Sequence, residues 1–189
     1  MKTFLLVACA AAVVAQPKIE NAKLQTRAVS GSLEADFRAS VASQSEAAWV
    51  GYTVAQTAGE RSMCGTVSLE GAPEFVVLYR VADGQVEKIR TYAIDCKFDA
   101  GGLPLYWLTG VDGAQSASML ASFVVPGKSP LSSSALSAIA RHRDGAPALI
   151  DLAKRPQLPA SIRQEAVRWL GRSKDPRAVK FFEETLAVR

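Results

Sequence analysis

Two stretches in the last third of the chain match at a constant offset of 31 residues. The first runs Ala135-Leu136, then Ile139-Ala140-Arg141-His142-Arg143-Asp144. The second runs Ala166-Val167, then Leu170-Gly171-Arg172-Ser173-Lys174-Asp175. Each reads as an amphipathic helix, a basic turn closed by aspartate, and a second helix. Asp175-Pro176 is a helix start, with aspartate as N-cap and proline in the first helical position. Val179, Phe182 and Leu186 form the expected apolar stripe behind it, and Ala148, Leu149 and Leu152 repeat it one copy earlier with a one-residue slip. A helix pair of this kind buries its apolar face only against neighbours, so two copies need closure at both ends.

The far end reads as finished. Glu183 and Thr185 take positions that would be apolar if another copy followed, with Phe181 the exception on a different side of the helix. The near end must be closed by what precedes it. Pro126-Gly127-Lys128-Ser129-Pro130 breaks the chain there. Charge changes at the same place: residues 1–127 carry 10 basic and 12 acidic side chains, residues 128–189 carry 12 and 6. The sequence therefore divides into residues 1–15, 16–127 and 128–189.

The middle region mixes helix and strand. Ser32 caps a helix striped by Leu33, Phe37 and Val41, with Glu34 and Asp36 in the first turn, where negative charge suits the helix dipole. Ala47 to Val54 is rich in strand formers. Phe75 to Val81 and Val86 to Ile94 flank Asp83-Gly84, a two-residue hairpin turn. A regular hairpin sets Arg80 opposite Glu87, Leu78 opposite Ile89 and Phe75 opposite Tyr92. A strand at Leu105 to Thr109 and a helix from Ser116 to Val124 follow. The expected fold class is α+β: a small antiparallel-sheet domain followed by an all-α, two-repeat helical stack.

Phe4 to Val14 is an unbroken apolar run behind Lys2, and Val13-Val14-Ala15 offers a signal-peptidase site, so residues 1–15 read as a secretory signal. Leu6-Val7-Ala8-Cys9 matches a lipobox, but only five apolar residues precede Cys9. That is short for a signal core, so cleavage near Ala15 is favoured over a lipid anchor. No apolar run reaches the roughly 18 residues of a membrane-spanning helix. Removal of the signal leaves Cys64 and Cys96, an even pair that reads as one disulfide in an exported chain, with two separate buried thiols as the alternative. The expected location is secreted or periplasmic.

Ile162-Arg163-Gln164-Glu165-Ala166-Val167-Arg168-Trp169-Leu170-Gly171, followed by Asp175-Pro176-Arg177-Ala178-Val179, resembles the HEAT repeat. It is closest to the short bacterial kind also seen in phycobilisome-lyase-type proteins. The resemblance implies stacked antiparallel helix pairs and protein binding. Asp95-Cys96-Lys97-Phe98-Asp99-Ala100-Gly101-Gly102 and Trp107-Leu108-Thr109-Gly110-Val111 are similar to a region that precedes HEAT repeats in exported bacterial proteins. That likeness implies compartment and architecture and no chemistry.

Signals for catalysis are thin. His142 is the one histidine, and it reads as a solvated residue of the first basic turn. With one histidine and one cystine there is no soft-metal ligand set. No Gly-x-Ser-x-Gly, phosphate loop or dinucleotide fingerprint occurs, and no cofactor is expected. Trp107 and Trp169 read as core. The disulfide brings Arg61 toward Asp95 and Asp99, as a salt bridge or a small polar site. The leading expectation is an exported, non-enzymatic protein-interaction module. Its candidate surface is a basic edge of Arg141, Arg143, Arg172 and Lys174, extended by Arg177, with Asp144 and Asp175 as helix caps. The expected partner is another protein of acidic character rather than nucleic acid or pigment. The alternative is an enzyme with its site near the Cys64–Cys96 loop.

Overall fold

A computed structural model describes residues 17–57, 64, 73–127 and 129–187. The signal segment 1–15, with Cys9, and Arg61 lie outside the described residues. Two short strands open the chain, β1 (Lys18–Glu20) and β2 (Lys23–Ala28), followed by helix α1 (Leu33–Ala42). Strands β3 (Ala48–Ala55), β4 (Glu74–Ala82), β5 (Gln85–Ala93), β6 (Lys97–Asp99) and β7 (Pro104–Thr109) come next. Five helices complete it: α2 (Gly113–Ser122), α3 (Pro130–Arg141), α4 (Ala146–Lys154), α5 (Ala160–Leu170) and α6 (Pro176–Ala187). None of the described helices is long and apolar enough to cross a membrane.

The fold is mixed α+β around a five-stranded sheet of order β2-β7-β3-β4-β5. The expected antiparallel sheet is corrected here: β7 runs parallel to both β2 and β3, while β3, β4 and β5 are antiparallel. A parallel neighbour cannot be reached by a tight turn. The chain leaves β5 and crosses the outer face of the sheet before entering between β2 and β3. On the way β6 pairs with β1 as a separate two-stranded ribbon. Gly101 and Gly102, both at positive φ, let the chain turn from that ribbon into β7.

The hairpin forms, but its register departs from the regular one. Ala82 pairs with Gln85 and Val81 with Val86; beyond a bulge, Arg80 pairs with Lys88, Tyr79 with Ile89, Leu78 with Arg90 and Phe75 with Ala93. Glu87 is the extra residue, so Leu78–Ile89 and Phe75–Tyr92 are not partners. The reason lies in burial. Val86 and Ile89 are three residues apart, so a regular strand would send them to opposite faces. The bulge puts both on the inner face, where Ile89 is 2% exposed. Arg80 and Glu87 still approach to 3.9 Å.

The inner face carries the main core. Ser32 caps α1, accepting from the Ala35 amide, and α1 lays Leu33, Phe37 and Val41 on the sheet. The Phe37 ring meets Tyr79 edge-on at 4.6 Å between centroids. One apolar cluster runs from these residues through Leu120 of α2, Leu136 and Ile139 of α3, and Leu149 and Leu152 of α4, to Leu170 and Phe181. It passes without a break from one side of residues 127–130 to the other. On the outer face a second cluster gathers Val76, Leu78, Leu105 and Trp107, with Ile19 and Phe98 of the ribbon against it. Gly51 makes room for it: a Cβ there would stand 2.5 Å from Leu78 Cδ2 and 3.0 Å from Trp107 Cζ3.

In α6 the expected stripe is also corrected. Ala178 and Phe181 face inward, Phe182 is half-buried, and Val179 and Leu186 are 55% and 66% exposed. The small Ala178 side chain lets α6 pack closely, and Phe181 fits beneath Lys154 of α4, whose Nζ lies 5.6 Å from the ring centroid. The helix is thereby turned from the expected orientation, and its outer side carries an apolar row.

Candidate functional site

The basic residues singled out from the repeat occupy different environments. Arg141 turns into the sheet, where its guanidinium covers the Phe75 ring at 4.7 Å and donates to Gln56 Oε1 and Thr91 Oγ1. Arg143 is exposed and reaches Asp144 at 3.9 Å. Arg172 is exposed over the Trp169 ring, and Lys174 is exposed. Arg177 grips Asp175 through Nε and Nη2, with the shortest contact at 2.6 Å. This guanidinium holds the Asp175 carboxyl below the usual carboxylate range. Asp175 Oδ1 also accepts from the Arg177 amide and so caps α6. Asp144 caps nothing: Gly145 is the N-cap of α4. Arg143, Arg172 and Lys174 thus share an exposed setting, and Arg141 does not.

The first turn is welded to the end of β3. Gln56 bridges to His142, the Thr57 amide donates to Arg141 O, and the Arg143 amide donates to Ala55 O. His142 is therefore buried at 2% exposure, not solvated as the sequence suggested. Its Nδ1 bonds Ala138 O at 2.8 Å, and a carbonyl only accepts, so Nδ1 carries the proton. Burial pushes the ring's pKa down to about 4, so it is neutral and Nε2 is an acceptor. Ser116 Oγ donates to it at 2.8 Å. Tyr52 then donates to Ser116 at 2.8 Å, and Tyr79 to Tyr52 at 2.7 Å. Burial pushes the Tyr52 hydroxyl up to about 12 and raises Tyr79 as well. A serine bonded to a histidine has the atoms of a nucleophile and its base. Here Ser116 is fully buried and its oxygen is engaged by Tyr52, so no substrate carbonyl reaches it. The four side chains tie β3, β4, α2 and the end of α3 together. Sequence reasoning missed them because they are scattered over 90 positions; the one available signal was a polar serine inside the apolar stripe of α2.

A cavity of about 250 Å³ opens on the outer face of the sheet. Trp49, Leu78, Leu105 and Trp107 form its floor. Ile19 and Phe98 of the ribbon and the Cys64–Cys96 disulfide close it from above. The two cysteines stand 5.3 Å apart between Cα atoms, and the bridge fits an oxidising environment. Asp95 and Asp99 lie on the same crossover. Asp99 accepts from the Gly101 amide and Asn21 Nδ2, which lowers its pKa. Among the described residues no three His, Cys, Asp or Glu side chains gather closely enough to hold a metal ion. Comparisons with family models, curated proteins and solved structures found no match for this chain.

Proposed function

We propose that this chain is an exported, non-enzymatic interaction protein in which α3–α6 act as a HEAT-like pair of helical hairpins. In this reading the sheet domain closes the inner end of the stack and α6 offers its outer side to a partner protein. The observation that carries the reading is the row Val179, Phe182 and Leu186, whose first and last members are largely exposed. Isolated exposed apolar residues are ordinary, but Val179 and Leu186 lie two turns apart on one helix face with half-buried Phe182 between them, and this strip supports an interaction surface. Arg172 and Lys174 stand exposed in the turn that leads into α6. The partner is accordingly a protein with an apolar segment flanked by acidic side chains, steered by charge and held by apolar contact. The Cys64–Cys96 bridge supports a periplasmic or secreted setting.

A photoreactive residue placed at Val179 tests this. It should trap one protein in the native envelope, with less product as salt rises or when Arg172 and Lys174 are reversed to glutamate. The same probe at Thr26, exposed on β2, should trap nothing comparable. Equal trapping at both positions would overturn the reading.

A further inference from the structure

We propose that the outer face of the sheet binds a small aromatic carboxylate, with its rings in the cavity and its carboxylate on the basic side chains of β5. This inference is independent of α6 and of any partner there. Strand pairing builds both halves of the site. Side chains alternate between the two faces of a strand. Val76, Leu78 and Arg80 of β4 therefore share the outer face with their partners Tyr92, Arg90 and Lys88 of β5. Leu78 and Tyr92 line the cavity, and the cations continue the same two strands toward the hairpin turn. Arg80 joins the two regions: its guanidinium lies 5.9 Å from the ring centroid of Trp49, part of the cavity floor.

The apolar half sets the size and shape of the guest. An engineered protein cavity of roughly 150 Å³ holds the six carbons of benzene. This one, at about 250 Å³, holds about ten on the same scale. Trp49, Tyr92, Phe98 and Trp107 present aromatic surface, which suits a flat guest. The basic half sets its charge. Arg80 stands directly opposite Lys88, with Arg90 next along the same face. Like charges directly opposite destabilise a sheet, and an anion between them relieves the repulsion. Glu87 answers Arg80 in part, at 3.9 Å. Lys88 and Arg90 are exposed, and neither forms an ion pair among the described residues. The ribbon does not suit the carboxylate, because Lys97 already pairs with Glu20 at 3.7 Å and Asp99 would repel it. The charged end of the guest is therefore directed to β5.

Two probes of one shape and different charge, 2-naphthoate and 2-naphthamide, separate this proposal from simple apolar binding. Each is titrated into the ¹⁵N-labelled, oxidised full chain while the indole N–H resonances of its three tryptophans are followed. In low salt the acid is expected to bind about tenfold more tightly than the amide, because only the acid makes charge-assisted contacts with β5. That advantage should shrink as salt rises. The double variant Lys88→Gln, Arg90→Gln should reduce the acid to the affinity of the amide and leave the amide unchanged. Both positions are exposed, so the fold should be retained. Phe98→Ala should weaken both probes alike. The Trp169 indole, beneath Arg172 at the helical end, should not shift, and Trp169→Phe identifies its signal. Binding of neither probe, equal affinity for both in the unaltered chain at low salt, full acid affinity in the double variant, unchanged affinities in Phe98→Ala, or a shift confined to Trp169 would overturn the proposal.

Discussion

His142 is neutral where it is buried, and that has a consequence for acid stability. Its folded pKa is about 4, against 6.5 for the free side chain. Between those values the unfolded chain binds the proton more strongly, so stability rises with pH across the window. It is fully present above about pH 6.5 and is lost as pH falls toward 4, by roughly 3 kcal/mol in all. The lowered carboxyls Asp99 and Asp175 lose their contribution as the unfolded chain protonates around 3.8, so most of their loss falls below this window. Urea unfolding at steps from pH 4 to 7 should show the slope, and His142→Asn should flatten it; an unchanged slope would remove His142 as its cause. The two arginines that the repeat makes equivalent should also part company. Arg141→Ala should cost about 2 kcal/mol through its aromatic and hydrogen-bond partners. Arg172→Ala should stay within about 0.5 kcal/mol, as exposed substitutions do. Thermal melts of both variants check this. The 31-residue offset carries no information about what each turn meets. The first meets the end of β3 and the second meets solvent, which is why a histidine expected in water lies in the core.

At the scale of elements, the parts set by local chemistry were readable and those set by distant partners were not. The Ser32 cap, the α1 stripe, the Asp83-Gly84 turn and the strand at Leu105 all depend on near neighbours, and all form. The bulge at Glu87, the parallel placement of β7 and the rotation of α6 depend on which face a remote residue must fill. In hindsight the three-residue spacing of Val86 and Ile89 was the clue to the bulge. Of the candidate sites, the cystine was readable from cysteine count, whereas the aromatic cavity beside it required the crossover. Deleting Glu87 should force the regular register and expel Ile89 or Val86 from the inner core. The expected loss is at least about 2 kcal/mol, comparable to truncating a large buried side chain. A deletion variant that melts like the parent would show that the bulge is dispensable.

At the scale of the whole molecule, the apolar cluster crosses the Pro/Gly/Ser segment, and α3 packs against both α2 and β5. The last four helices consequently have an exposed inner face once the sheet is removed. A fragment starting at Ser129 should show no cooperative melt, and a sharp transition by calorimetry would mean that these helices stand alone. Their other side is the proposed binding face, where Val179 and Leu186 point outward. The most direct measurement is the paired change in partner capture and melting temperature for the double variant Val179→Asp, Leu186→Asp. Capture of the envelope protein trapped at Val179 should fall at least about tenfold, with the melting temperature within about 2 °C of the parent. Undiminished capture, or loss of capture only together with loss of folding, would contradict the claim.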